Sequence, residues 1–190
     1  GRIFNQALNT AMPDIGKIFE GAMKGVFVGK LSHESQVVQL PEGIERMRVE
    51  CSDGCDLTLS LTDEPFIKAK GRATLTSGDQ EIHIKADDDV TLSIPVSVRF
   101  LHAVTHGGDI DCRLGALDGH TIALTAKGGD IAASVGGMIA SRLDIEAHGG
   151  DIELAIPEET AFTITMKVDG DGDIETRIPL EADEQSDSFF

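Results

Sequence analysis

From Asp89 to Ile178 the chain alternates apolar and polar residues in short runs that restart every 20–22 residues. One position after the aspartate opening each run stand Val90, Ile110, Ile131, Ile152 and Ile174. Three positions after it stand Leu92, Cys112, Ala133, Leu154 and Thr176, and five after it Ile94, Leu114, Val135, Ile156 and Ile178. Between them lie Thr91, Asp111, Ala132, Glu153 and Glu175, then Ser93, Arg113, Ser134, Ala155 and Arg177. A period of two predicts a strand with one dry face and one wet face. Pro95, Gly115, Gly136, Pro157 or Pro179 ends each run at a chain corner. A second alternating strand follows in the first four copies. Its inward columns are Leu101, Ile122, Leu143 and Ile164, then Ala103, Leu124, Ile145 and Met166, then Thr105, Ala126, Ala147 and Val168.

The two strands of each copy meet at a repeated turn. Gly107-Gly108-Asp109-Ile110, Gly128-Gly129-Asp130-Ile131 and Gly149-Gly150-Asp151-Ile152 recur at 21-residue intervals, and Gly172-Asp173-Ile174 follows 22 later. A fixed period of that size predicts a stacked array in which each repeat buries its apolar side only against its neighbours. The expected fold is all-β: a single-stranded parallel β-helix, or β-solenoid, whose strands pair between windings about 4.8 Å apart. Both glycines of each turn are expected to serve a backbone bend at positive φ.

Residues 89–180 are the regular part of this array. Residues 31–88 alternate as well, at 35–40, 44–51, 56–61, 66–70, 72–77 and 81–86, but without strict register. Asp56-Leu57-Thr58-Leu59-Ser60-Leu61 echoes Asp89-Val90-Thr91-Leu92-Ser93-Ile94, so this stretch reads as irregular early windings of the same stack. Residues 1–30 change period. Ile15, Ile18, Phe19, Ala22, Met23 and Val26 fall on one face of a helix that begins near Pro13. Gly16, Gly21 and Gly25 weaken that helix by roughly 1 kcal/mol each relative to Ala, so it needs a surface to pack on. It is expected to cap an open end or side of the array; self-association, a partner's groove or a membrane surface are its other uses. Residues 181–190 form an acidic tail.

Charge narrows the partners. The chain carries a formal −17, and residues 1–30 account for +2 of it, which leaves −19 for the rest. Nucleic acid would require a basic footprint, so it is not an expected partner. Aromatic residues make up 4% of the chain, with no Trp and no Tyr.

Candidate chemistry concentrates at the turns. Asp109, Asp130, Asp151 and Asp173 should stack as a ladder along one edge, where like charges cost about 1 kcal/mol per neighbouring pair in water. Local hydrogen bonds from turn amides would offset that cost, and His106, Lys127 and His148, one column upstream, could add compensating charge. A calcium ion bridging adjacent carboxylates is a further reading of the ladder. Asp169-Gly170-Asp171-Gly172-Asp173 opens like a helical calcium loop but has Ile174 at the sixth position and Leu180 at the twelfth, where Gly and Glu belong. His106 and His148 lie two windings apart, too far for one ion. His33, His83, His102 and His120 share no spacing and read as solvated or turn residues. Cys51 and Cys55 flank a three-residue turn and read as free thiols rather than a bridge; Cys112 falls in an inward column and reads as core. No catalytic residue, cofactor or established metal set emerges.

The GD-[IV] turns with trailing strands at 107–114, 128–135, 149–156 and 172–178 resemble the bacterial putative-adhesin, or toastrack, family over roughly residues 44–180. The resemblance implies a β-helix without catalytic residues, associated with the cell envelope, adhesion or envelope-stress signalling. Residues 1–190 contain neither a signal-peptide pattern nor a run able to span a bilayer, which leaves the cytoplasm open as a compartment. Three functions follow. The leading one is a non-enzymatic interaction scaffold, adhesin-like or envelope-associated, that binds a protein partner through its faces and loops. The second is a polymerising scaffold resembling bactofilins. The third is a polysaccharide-active enzyme using Asp109, Asp130 or Asp151, which would lack the aromatic faces that grip sugars.

Overall fold

The computed structural model describes residues 27–78, 80–156 and 161–177. The expected helix at 13–26 and the acidic tail at 181–190 lie outside the described residues. Among those described, the regular elements are all strands. The first eight are β1 (Phe27–Leu31), β2 (Gln36–Gln39), β3 (Arg46–Cys51), β4 (Leu57–Thr62), β5 (Phe66–Lys70), β6 (Ala73–Ser77), β7 (Glu81–Ala86) and β8 (Val90–Pro95). The remainder are β9 (Phe100–His106), β10 (Ile110–Arg113), β11 (Ala116–Asp118), β12 (Thr121–Lys127), β13 (Ile131–Ser134), β14 (Gly137–His148), β15 (Ile152–Ala155), β16 (Ala161–Asp169) and β17 (Ile174–Thr176). Residues 27–30, assigned to the helical segment, are therefore strand; β1 pairs antiparallel with β6, Lys30 opposite Thr74.

The strands form two sheets of mixed direction. The first runs β1-β6-β7-β3-β9-β12-β14, with β11 and β16 also on β14; the second runs β2-β5-β8-β4-β10-β13-β15-β17. From β9 onward each winding contributes to both sheets, the β11–β12 winding giving two strands to the first, and pairs in parallel with the next. Ile110 lies opposite Ile131, Ile131 opposite Ile152, and Ile152 opposite Ile174. In the first sheet Leu101, Ile122, Leu143 and Ile164 align in the same way. These columns fill the space between the sheets: Ile110, Ile131 and Ile152 are each 1% exposed. Their alternation with polar residues follows from the pleat, which turns successive side chains to opposite faces.

Two expectations about residues 31–88 are corrected. The winding β3–β4 does not precede β7–β8 in the stack but lies between β7–β8 and β9–β10, with Leu57 flanked by Val90 and Ile110. Strands β2, β5 and β6 are not early parallel windings. β6 pairs antiparallel with β7, β5 with β8 and β2 with β5. A short link from Ser77 to Glu81 joins β6 to β7, and a link that short permits only the antiparallel direction. That reversal carries the chain outward past the place that sequence order would give it.

A buried polar joint holds the first sheet near β11. His120 is 4% exposed, and Asp118 N–H donates to its Nδ1 at 3.0 Å, while Nε2 lies 2.9 Å from the Val96 carbonyl. With Nδ1 accepting, Nε2 carries the proton, so the ring is a neutral imidazole in a set tautomer. The His120 amide donates to Ser141 Oγ at 3.0 Å, and Ser141 Oγ donates to the Ile139 carbonyl at 2.9 Å. A register shift between Ile139 and Ser141, with Ala140 at φ 47°, turns Ser141 inward. His120 is thus a turn residue but not a solvated one.

Candidate functional site

The repeated corner joins the two sheets, and its two glycines have different tasks. Gly149 has φ 83°, where a side chain would be strained, and its amide donates to the Asp169 carbonyl of the next winding at 2.7 Å. Gly150 has no such dihedral. A Cβ placed on it would lie 2.0 Å from the Gly129 carbonyl oxygen, well inside contact distance. The same approach recurs at Gly108, Gly129 and Gly172, at 1.9, 2.1 and 2.0 Å from the winding below. Only the first glycine of each pair serves the turn; the second lets windings touch. Asp171 is the extra residue of the 22-residue repeat, and Gly172 still seats on Gly150 behind it.

The aspartate ladder forms, and it is longer than the four residues singled out in the sequence. Asp89 Oδ1 accepts from Asp56 N–H, Asp56 from Asp109, Asp109 from Asp130, Asp130 from Asp151 and Asp151 from Asp173, each at 2.8 Å. The bonds run between windings rather than within one turn, so the expected local device is replaced by an inter-winding one. Each amide offsets the charge of the carboxylate it faces. The two histidines of the upstream column face other carboxylates. His106 pairs with Glu50 at 3.3 Å, and His148 with Glu146 and Asp169. Replacing Asp130 by Ala removes the acceptor of the Asp151 amide and should cost about 1 kcal/mol. Asp130→Asn keeps an Oδ1 acceptor and deletes one charge, and should match or exceed the parent in low-salt thermal unfolding. Equal losses in the two variants would show that the charge, not the acceptor, matters.

The outward face of the first sheet holds the densest chemistry. Parallel register places Lys127 between His106 and His148, Asp169 beyond His148, and Lys167 opposite Glu146. His148 Nε2 lies 2.7 Å from Glu146 Oε1, and Nδ1 lies 3.1 Å from Asp169 Oδ2. Lys167 Nζ lies 3.4 Å from Asp169 Oδ2 and 3.9 Å from Glu146 Oε1. Arg142 binds Asp144 at 2.9 Å on the same face, and the Arg46 guanidinium sits 4.2 Å above the Phe100 ring. Glu146 and Lys167 were not singled out in the sequence, and Asp169 was named only at the start of the calcium-loop pattern. Their signal was present: Glu146 and His148 are two apart on one strand, and Lys167 and Asp169 follow each of them by one 21-residue repeat.

Cys51, Cys55 and Cys112 are free and buried. Burial pushes the Cys51 and Cys112 thiols up to about 12, with neighbouring groups adding at Cys51 the Cys55 thiol first and at Cys112 the Asp111 carboxylate. A thiol held that high carries almost no thiolate and is a poor nucleophile or metal ligand. Burial, then the nearby Arg48, lowers the pKa of His102. The second sheet's outward face carries Thr58 beside Thr91 and Ser60 beside Ser93, and an Arg177–Glu153 ion pair at its other end.

No family model and no curated protein matches the chain. Among solved structures, one described as a putative cell adhesion protein from Clostridium sporogenes aligns with a TM-score of 0.41 and 11% identity, over 77% of this chain and 99% of that one.

Proposed function

We propose that this chain is a non-enzymatic interaction scaffold, a β-solenoid that binds a protein partner in the adhesin-like, envelope-associated role the toastrack resemblance implies. The observation that carries the reading is the outward face of the first sheet from β7 to β16. Paired strands hold its side chains in register, ion pairs order its charges, and Phe100 and Ile139 stand 37% and 64% exposed among them. Side chains already ordered on a paired sheet lose little entropy on binding. Ordered charges select a partner, and exposed apolar groups supply contact area. The ladder aspartates are committed to inter-winding amides, so we assign them no acid–base role.

Site-specific photocrosslinking in cells that make the chain natively tests this. A crosslinker at Ile139 or Asp144 should give a discrete adduct, and one at Thr58 or Ser134 on the second sheet should not. Equal adducts from both faces would sink the assignment. The alternative is a bactofilin-like polymer, which the parallel pairing of successive windings would suit. Sedimentation separates the two: growth with concentration favours polymers, and a stable 20.2 kDa species removes them.

A further inference from the structure

We infer that Glu146, His148 and Asp169 form a binding site for a divalent transition ion, Zn²⁺ by ligand chemistry, that clamps β16 onto β14. Glu146 and His148 project from the same face of β14, and Asp169 lies directly opposite His148 on β16. One ligand atom from each lies within 4.8 Å of the others, and among the described residues no other histidine, cysteine and carboxylate set converges so. Zinc–ligand bonds of about 2.0–2.2 Å require donors within roughly 4.4 Å of one another, so small side-chain rotations complete the set. An imidazole with two carboxylates suits zinc, whereas calcium would need about six or more oxygens.

Glu146 faces one ring nitrogen at 2.7 Å and Asp169 the other at 3.1 Å, so the three donors meet one ion when one carboxylate swings to the nitrogen that takes it. All three side chains are 38–46% exposed, which admits the ion and leaves room for water as the remaining ligand. Lys167 is the competitor. Its ammonium stands near both carboxylates and neutralises them in the ion's absence. The site joins the last two described strands of the first sheet, so occupancy would staple the terminal winding. This inference is independent of the scaffold reading.

Calorimetric titration of the full chain with zinc chloride, in a buffer that does not chelate, provides the test. One ion per chain is expected. His148→Ala and the near-isosteric Asp169→Asn should each lower affinity by at least about tenfold. Lys167→Met should raise affinity, because it removes the competing cation. His106→Ala, whose ring faces the single carboxylate of Glu50, should change nothing. Saturating zinc should also raise the thermal midpoint of the parent and not that of His148→Ala. Absence of saturable binding overturns the inference, as does binding that survives both His148→Ala and Asp169→Asn, or that weakens in Lys167→Met.

Discussion

Gly150→Ala is expected to cost about 3–5 kcal/mol and to leave little cooperative unfolding in urea, although it adds a single methyl group. The new Cβ would stand 2.0 Å from the Gly129 carbonyl oxygen and 2.8 Å from Asp130 Oδ1. Neither neighbour can yield: the first is backbone in the winding below, and the second accepts the Asp151 amide at 2.8 Å. Relief requires the windings to separate, which breaks the parallel pairing of β13 with β15. Gly149→Ala meets no atom within 4 Å and carries only the left-handed backbone penalty, about 1–2 kcal/mol. Gly137→Ala has neither problem and should lie within about 0.5 kcal/mol of the parent. Urea midpoints for the three variants check the order. Equal losses at Gly149 and Gly150 would mean that the turn, rather than the contact between windings, governs stability.

Ile131→Asp should unfold the central windings outright. The side chain is 1% exposed, between Ile110 and Ile152 in the column. An unpaired carboxylate there forfeits the burial of the isoleucine and adds the cost of a charge without a partner, together about 5 kcal/mol or more. That is comparable to the whole stability of an ordinary domain. Ile131→Val, which deletes one methylene, should cost about 0.5–1.5 kcal/mol. Ile174→Asp provides the contrast, because Ile174 is only half-buried at the last described winding. Each winding contacts only its neighbours, so damage at the end should stay local. Far-UV circular dichroism showing native β-signal in Ile131→Asp would contradict the packing.

The regular columns were legible in the sequence because strand alternation and a constant repeat are local properties. Ile110, Ile131 and Ile152 could be aligned without coordinates, and so could the Gly-Gly-Asp corners. The placement of β3–β4 between β7–β8 and β9–β10 could not. Leu57 and Leu59 suit either neighbour, and what settles their position is the reversal through β5 and β6, visible only once the antiparallel pairs exist. The ladder was half legible. Four of its six members were named, but a carboxylate gives no sign in the sequence of whether its amide donor lies in its own turn or the next. That Glu146, His148 and Asp169 converge was missed for a related reason. Their histidine was weighed against other histidines, whereas its partners are acids on its own strand and one repeat away.

By itself, the sequence determined that this chain forms half-buried strands at a fixed interval, with glycine and aspartate at each corner. Those follow from the period of the pleat and from the few residues a tight bend accepts. Tertiary structure decided the order of the windings, the contact role of the second glycine and the direction of the ladder's hydrogen bonds. Each depends on which stretch of backbone lies against which, and residues far apart along the chain settle that only when the sheets close over their common core.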